Sequence, residues 1–159
     1  MLKKLILAAL FAALGIVGTA RAQTQPPYGP PIGLAAAQRA AAAAIAAAQK
    51  NKFVPYSVAV VDSGGNLVLF ERMDNGQYGS IQIAIGKARS ALRFKRPTKV
   101  FDELLGKGRT AILGLHGIVP SEGGVPLVSG SQIIGAIGAS SGSPQQDGIV
   151  AAAGAATVK

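Results

Sequence analysis

The sequence predicts an α+β domain, an antiparallel β-sheet flanked by helices, and three observations carry that expectation. Two pairs of short runs rich in Val, Leu and Ile are each joined by a turn that contains glycine. Segments of helical period stand before, between and after those pairs. The paired glycines Gly64-Gly65 lead into a second strand, whereas a phosphate-gripping loop needs a helix to start there, so that free N–H groups and the helix dipole face the anion. Hairpins separated by helices argue against a doubly wound parallel sheet.

The elements follow in order after a leader. Lys3-Lys4, the apolar run from Leu5 to Gly18 and the Ala20-Arg21-Ala22 ending have the three parts of a secretory signal over residues 1–22, with a mature start at Gln23. A membrane anchor is the competing reading, but that apolar run is shorter than the roughly 20 residues a spanning helix needs. No stable anchor is expected after cleavage. The mature chain, about 137 residues, has the length of one domain with one real core. Residues 23–33, "QTQPPYGPPIG", resist both helix and ladder and read as an extended N-terminal arm or a loose tail. The domain itself is expected over residues 34–159.

Leu34 to Lys52 is dominated by alanine, the best helix former. Such a helix buries little area per residue and depends on a sheet or another subunit for its stability. Tyr56 to Val61 and Leu67 to Arg72 form the first hairpin, around Asp62-Ser63-Gly64-Gly65-Asn66, where the glycines supply positive-φ turn positions. Ser80 to Phe94 is a helix with Ile81, Ala84, Ile85, Ala88, Ala91 and Leu92 on one face. Arg89, Arg93 and Arg96 lie on the other face with Lys87, Lys95 and Lys99 nearby, and no acid interrupts residues 87–99. Pro97 stops the helix, and Thr98 is placed to cap a shorter one through Leu105, ended by Gly106 and Gly108. Val125 to Val128 and Gln132 to Ala139 flank the second turn, and Ser143-Pro144-Gln145-Gln146 opens a last helix with a capping box.

Composition bounds the partners. Without its leader the chain keeps thirteen bases against seven acids, a net charge of +6. An exported basic domain, periplasmic or secreted, meets anionic lipid, cell-wall polymer or acidic small molecules, and nucleic acid is not an expected partner. The absence of cysteine excludes disulfides and thiolate metal sites.

Few residues carry chemistry. "GASSG", residues 138–142, has the pattern of a nucleophile elbow around Ser140, but the only histidine precedes it, whereas that hydrolase fold places its histidine last. His116 in "LGLHGIVP" is the one side chain suited to a transition metal or haem iron, the alternative being a loop imidazole with no ligand role. A zinc site needs several ligands, which this chain does not supply in an obvious set, whereas haem needs one axial donor and an apolar slot. Met73 in "ERMD" is a second candidate axial ligand or else core filler. Arg89, Arg93 and Arg96 are candidates to bind carboxylates such as haem propionates, against the alternative of a solvated helix face. Asp62, Glu71, Asp74 and Glu122 make no pair with a defined catalytic separation, so the residues point to binding more than to an enzyme.

The ordered segments "VAVVDSGGNLVLFERMD", "SIQIAIGKARSALRFKRPT" and "GGVPLVSGSQIIGAIGASSGSPQQD" resemble the GlcG/HbpS family of haem-binding proteins, which is related to the C-terminal domain of PduO-type proteins. The resemblance spans about residues 34 to 155. It implies a profilin-like antiparallel sheet flanked by helices, homo-oligomers, and haem as cofactor; from the residues themselves, neither zinc nor nucleotide is expected. It further implies a role in haem sensing, storage or protection from oxidative stress, and a third reading, a structural module that signals through its oligomer surface, adds an exported sensor protein as a candidate partner. His116 does not follow from the resemblance, because its segment is often proline-rich in the family. The competing function is an accessory or small-acid-handling protein of a catabolic pathway, with no haem.

Overall fold

Hairpins close where a short turn brings two strands into register, and both expected turns do so in the computed structural model, which describes residues 25–159. The leader expected over residues 1–22 lies outside them. The elements are α1 (Leu34–Lys50), β1 (Ser57–Asp62), β2 (Leu67–Arg72), α2 (Gly79–Phe94), α3 (Lys99–Gly106), a 3₁₀ turn (Thr110–Gly114), β3 (Gly124–Ser129), β4 (Gln132–Ser140) and α4 (Pro144–Ala155). β1 pairs with β2 and β3 with β4, and β1 and β4 meet in the middle, so a wholly antiparallel sheet runs β2-β1-β4-β3. This is the α+β architecture that the hairpin and helix order predicts.

In the first turn Asp62 Oδ1 accepts the N–H groups of Gly64 at 2.8 Å and Asn66 at 2.9 Å, and the Gly65 N–H donates to Asp62 O at 3.0 Å. Of the two glycines only Gly65, at φ +84°, uses the left-handed region. The turn therefore spends its N–H groups on its own aspartate.

Strand alternation sorts the core into two layers. Val58 and Val60 of β1, Leu127 of β3 and Ile137 and Ala139 of β4 pack under α1 and α4. Val61, Ile133 and Ala136 meet Ala88, Ala91 and Leu92 of α2 on the other face. In α1, Ala37, Ala40, Ala41, Ala44 and Ala48 are buried, and the helix packs beside α4 and over β1 and β2. The alanine helix thus finds its support within the subunit.

The approach of α2 to the sheet is set by two glycines. Gly124 and Gly138 sit opposite each other on β3 and β4. A Cβ at Gly138 would strike Ala84 O and Ala88 N, and one at Gly124 would strike Lys87 O. With hydrogen in both places, the α2 backbone rests directly on the strands. Helix α2 ends as Lys95 turns left-handed at φ +53° and its N–H returns to Leu92 O.

Two expectations need correction here. Thr98 stands at the N-cap of α3 but its side chain does not cap the helix; its Oγ1 accepts the Gly124 N–H at 2.9 Å while its own N–H donates to Gly124 O at 3.0 Å, so it fixes the start of β3. Lys87 does not join the basic outer face. It lies at i+3 from Ala84 and i−4 from Ala91, on the buried face of α2. The α4 capping box is present, with the Ser143 N–H donating to Gln146 Oε1 and the Gln146 N–H donating to Ser143 Oγ.

The segment before α1 runs along β4. Ile133 N–H donates to Pro27 O, Gly29 N–H to Ile133 O and Ile32 N–H to Ile134 O, each within 2.9 Å, and Tyr28 forms a parallel bridge to Ile133. Ile32 is buried in the α1 layer.

Candidate functional site

Three separated stretches of chain converge at the C-terminal end of α2. Tyr28 from the arm, Ser63, Gly64 and Gly65 from the first turn, and Arg89, Leu92 and Arg93 from α2 line a cleft of about 420 Å³, within the range of small-ligand sites. Arg89 and Arg93 are one helical turn apart on the exposed side of α2, so both guanidinium groups reach the same opening. Arg89 Nε donates to Gly65 O at 3.1 Å and Arg93 Nη1 donates to His116 O at 2.9 Å. Each guanidinium has five N–H donors, so these anchors leave further donors for an anion. The turn N–H groups are held by Asp62, so the arginines supply the positive character.

Burial pushes the Asp62 carboxyl upward, but the hydrogen bonds from Asn66, Gly64 and Gly65 outweigh it and hold the group below its ordinary value. The turn that walls the cleft is therefore built on an ionised aspartate.

The other site candidates separate. His116 is exposed, and its backbone carbonyl is held beside the cleft by Arg93. Arg96 is exposed and its Nε donates to Phe94 O at 3.1 Å. Met73 packs against the α1 and α4 layer, and its sulfur accepts the Tyr56 N–H at 3.3 Å. Arg89, Arg93 and the His116 backbone are thus brought together, while Met73 serves the opposite layer. Among the described residues no group of three or more His, Cys, Asp or Glu is placed to hold a metal ion.

Ser140 closes β4 with its hydroxyl buried and directed to Ser80 Oγ at 3.3 Å, and Ser80 Oγ also accepts from Gln77 Nε2 at 2.7 Å. The N–H groups of Ser141 and Gly142, which an elbow would aim at an oxyanion, both donate to Asp147 Oδ1. Asp147 Oδ2 in turn lies 2.6 Å from Lys87 Nζ, which also donates to Glu122 O at 2.7 Å. Both side chains of this pair are almost fully buried. The Tyr56 hydroxyl stands close to Asp147 and Gly142 without making a hydrogen bond, and burial first, then the Asp147 charge, pushes its phenol well above the ordinary value. This polar cluster is a closed structural joint.

Sequence reasoning missed Tyr28. An aromatic alone among prolines has no periodicity to place it, and only the arm's path along β4 brings it to α2.

Fold and site together define a small α+β domain, an antiparallel sheet between helical layers with a cationic cleft at one end of α2. The chain belongs to the HbpS-like family: residues 32–156 match the family described as "Haem degrading protein HbpS-like". It is 43% identical to the protein GlcG of Escherichia coli K12 over 107 residues, which are 65% of this chain and 79% of that protein. The crystal structure of HbpS superposes with a TM-score of 0.74 at 32% identity, covering 82% of this chain and 92% of that one. The crystal structure of a PduOC–haem complex superposes with a TM-score of 0.73 at 27% identity, covering 81% and 96%. The family thus includes a member with haem bound.

Proposed function

We propose that this protein binds haem, with Arg89 and Arg93 holding the propionates and His116 supplying an axial donor to the iron. The observation that carries the reading is the convergence of two arginines on one cleft, one of them fastened to the backbone of the only histidine. A haem presents two carboxylates, a flat apolar ring and an iron that accepts axial ligands. The residues present fit that group. Arg89 and Arg93 suit carboxylates, Tyr28 and Leu92 give the cleft apolar surface, and Leu113 and Leu115 expose further apolar surface next to His116 in the chain. When bound, the haem would supply an iron centre, and the chain's own residues would orient it and neutralise its charge.

The reading extends to an exported, periplasmic or secreted homo-oligomer acting in haem sensing, storage or protection from oxidative stress, with an exported sensor as partner. It is supported by the residue 1–22 pattern, the net charge and the family resemblance. Titration of the purified chain with hemin is expected to give a shifted Soret band that saturates at a defined stoichiometry. His116→Ala is expected to move that band, and Arg89→Gln with Arg93→Gln to weaken binding about tenfold or more, as loss of charge-assisted hydrogen bonds implies. Following the band over time with a reductant separates binding from the degradation named in the family description. A chain that gives no saturable band overturns the proposal.

The lining of the cleft also suits a small acid without haem, since two arginines and polar turn atoms form much of it. Thermal stabilisation by a small carboxylate but not by hemin would favour that reading.

A further inference from the structure

We propose that Tyr28 is a positioning residue of the cleft: it masks the carbonyl end of α2 and thereby allows that end to receive a carboxylate ligand. This rests on the reading of the cleft as the propionate site, and names the device that makes the location electrostatically workable. The last turn of a helix carries unsatisfied carbonyls and the equivalent of about half a negative charge. Because Arg89, Leu92 and Arg93 line the cleft, an anion bound there lies beside the negative end of α2. Two arginines alone would work against that field.

The arm alters the balance. The Tyr28 hydroxyl donates to Leu92 O at 3.0 Å and shares its proton with Arg93 O at 3.3 Å, covering two carbonyls of the last turn. Lys95 Nζ stands 4.2 Å from the centroid of the Tyr28 ring, so the same side chain holds a cation at the helix end. The placement of Tyr28 does not depend on these contacts alone, because the backbone bonds of Pro27, Gly29 and Ile32 to β4 fix the arm on either side of it. Pro26, Pro27, Pro30 and Pro31 restrict the free arm and lower the entropy lost on docking. The cleft wall, the carbonyl mask and the ring that holds the Lys95 cation at the helix end thus come from one residue outside the helices and sheet.

The role predicts a dependence on ligand charge. In the full chain, Tyr28→Phe is expected to weaken hemin binding roughly 3–10-fold, as loss of one hydrogen bond implies, while binding of hemin dimethyl ester stays unchanged. An equal loss for both ligands marks a merely structural residue and overturns the inference, as does no loss for either. A wild-type chain that binds the diester as tightly as the diacid, or that gives no saturable hemin band, removes the parent reading instead and this role with it. Circular dichroism and a thermal melt check the fold. If Tyr28→Phe does not fold, Lys95→Asn carries the same comparison, since asparagine tolerates the left-handed backbone there; a selective loss for the diacid supports the role and an unselective result overturns it.

Discussion

Lys87 Nζ lies 2.6 Å from Asp147 Oδ2, joining α2 to the first turn of α4 across 60 residues of sequence. The pair closes a joint that neither helix could make alone. Asp147 Oδ1 holds the turn after β4 through Ser141 and Gly142, and Lys87 holds Glu122 O ahead of β3. Removing one partner leaves the other charge buried and uncompensated. Lys87→Met or Asp147→Ala alone is expected to cost about 3–5 kcal/mol in urea denaturation. The double variant is expected to lose less than the two single losses together by about 1 kcal/mol or more. Strict additivity would show that the two groups do not act as a pair.

The seat of α2 on the sheet makes a steric prediction. At Gly138 a methyl group would meet the backbone of Ala84 and Ala88, which has no flexible side chain to yield. Gly138→Ala is expected to destabilise by about 1–3 kcal/mol. Gly114→Ala, where a Cβ meets nothing within 4 Å, is expected to change stability by less than about 0.5 kcal/mol. Equal denaturation midpoints for the two variants would refute the close approach.

Asp62 gives the cleft wall a pH dependence. Its carboxyl is held below its ordinary value in the folded chain, so the stability it contributes is complete above the unfolded pKa of about 3.9 and is lost as pH falls through the lower folded value. An NMR pH titration is expected to show the amides of Gly64 and Asn66 shifting together with the Asp62 carboxyl, at a pH below that of an unfolded aspartate. Asp62→Asn is expected to abolish this shared transition. Independent midpoints for amides and carboxyl would sink the account.

The fold was largely legible because its hairpins and caps are local. Asp62, Gly65 and Asn66 satisfy one another within five residues, and Ser143 with Gln146 within four. The split of α2 into a buried and a basic face is legible from its period, but the run of bases hides that Lys87, three residues after Ala84, falls on the buried one. A lone base at an apolar helical position is a signal that a buried acid awaits it elsewhere.

The sequence by itself determined the hairpins, the helix order, the net positive charge and the pair of arginines one turn apart, because each depends on neighbours within a few residues. Tertiary structure alone decided that Asp147 is the partner of Lys87, that Gly124 and Gly138 admit the α2 backbone, and that Tyr28 joins Gly65 and Arg93 around one cleft. These contacts span tens of residues, and their partners are selected by where the packed layers bring the chain, which no local pattern encodes.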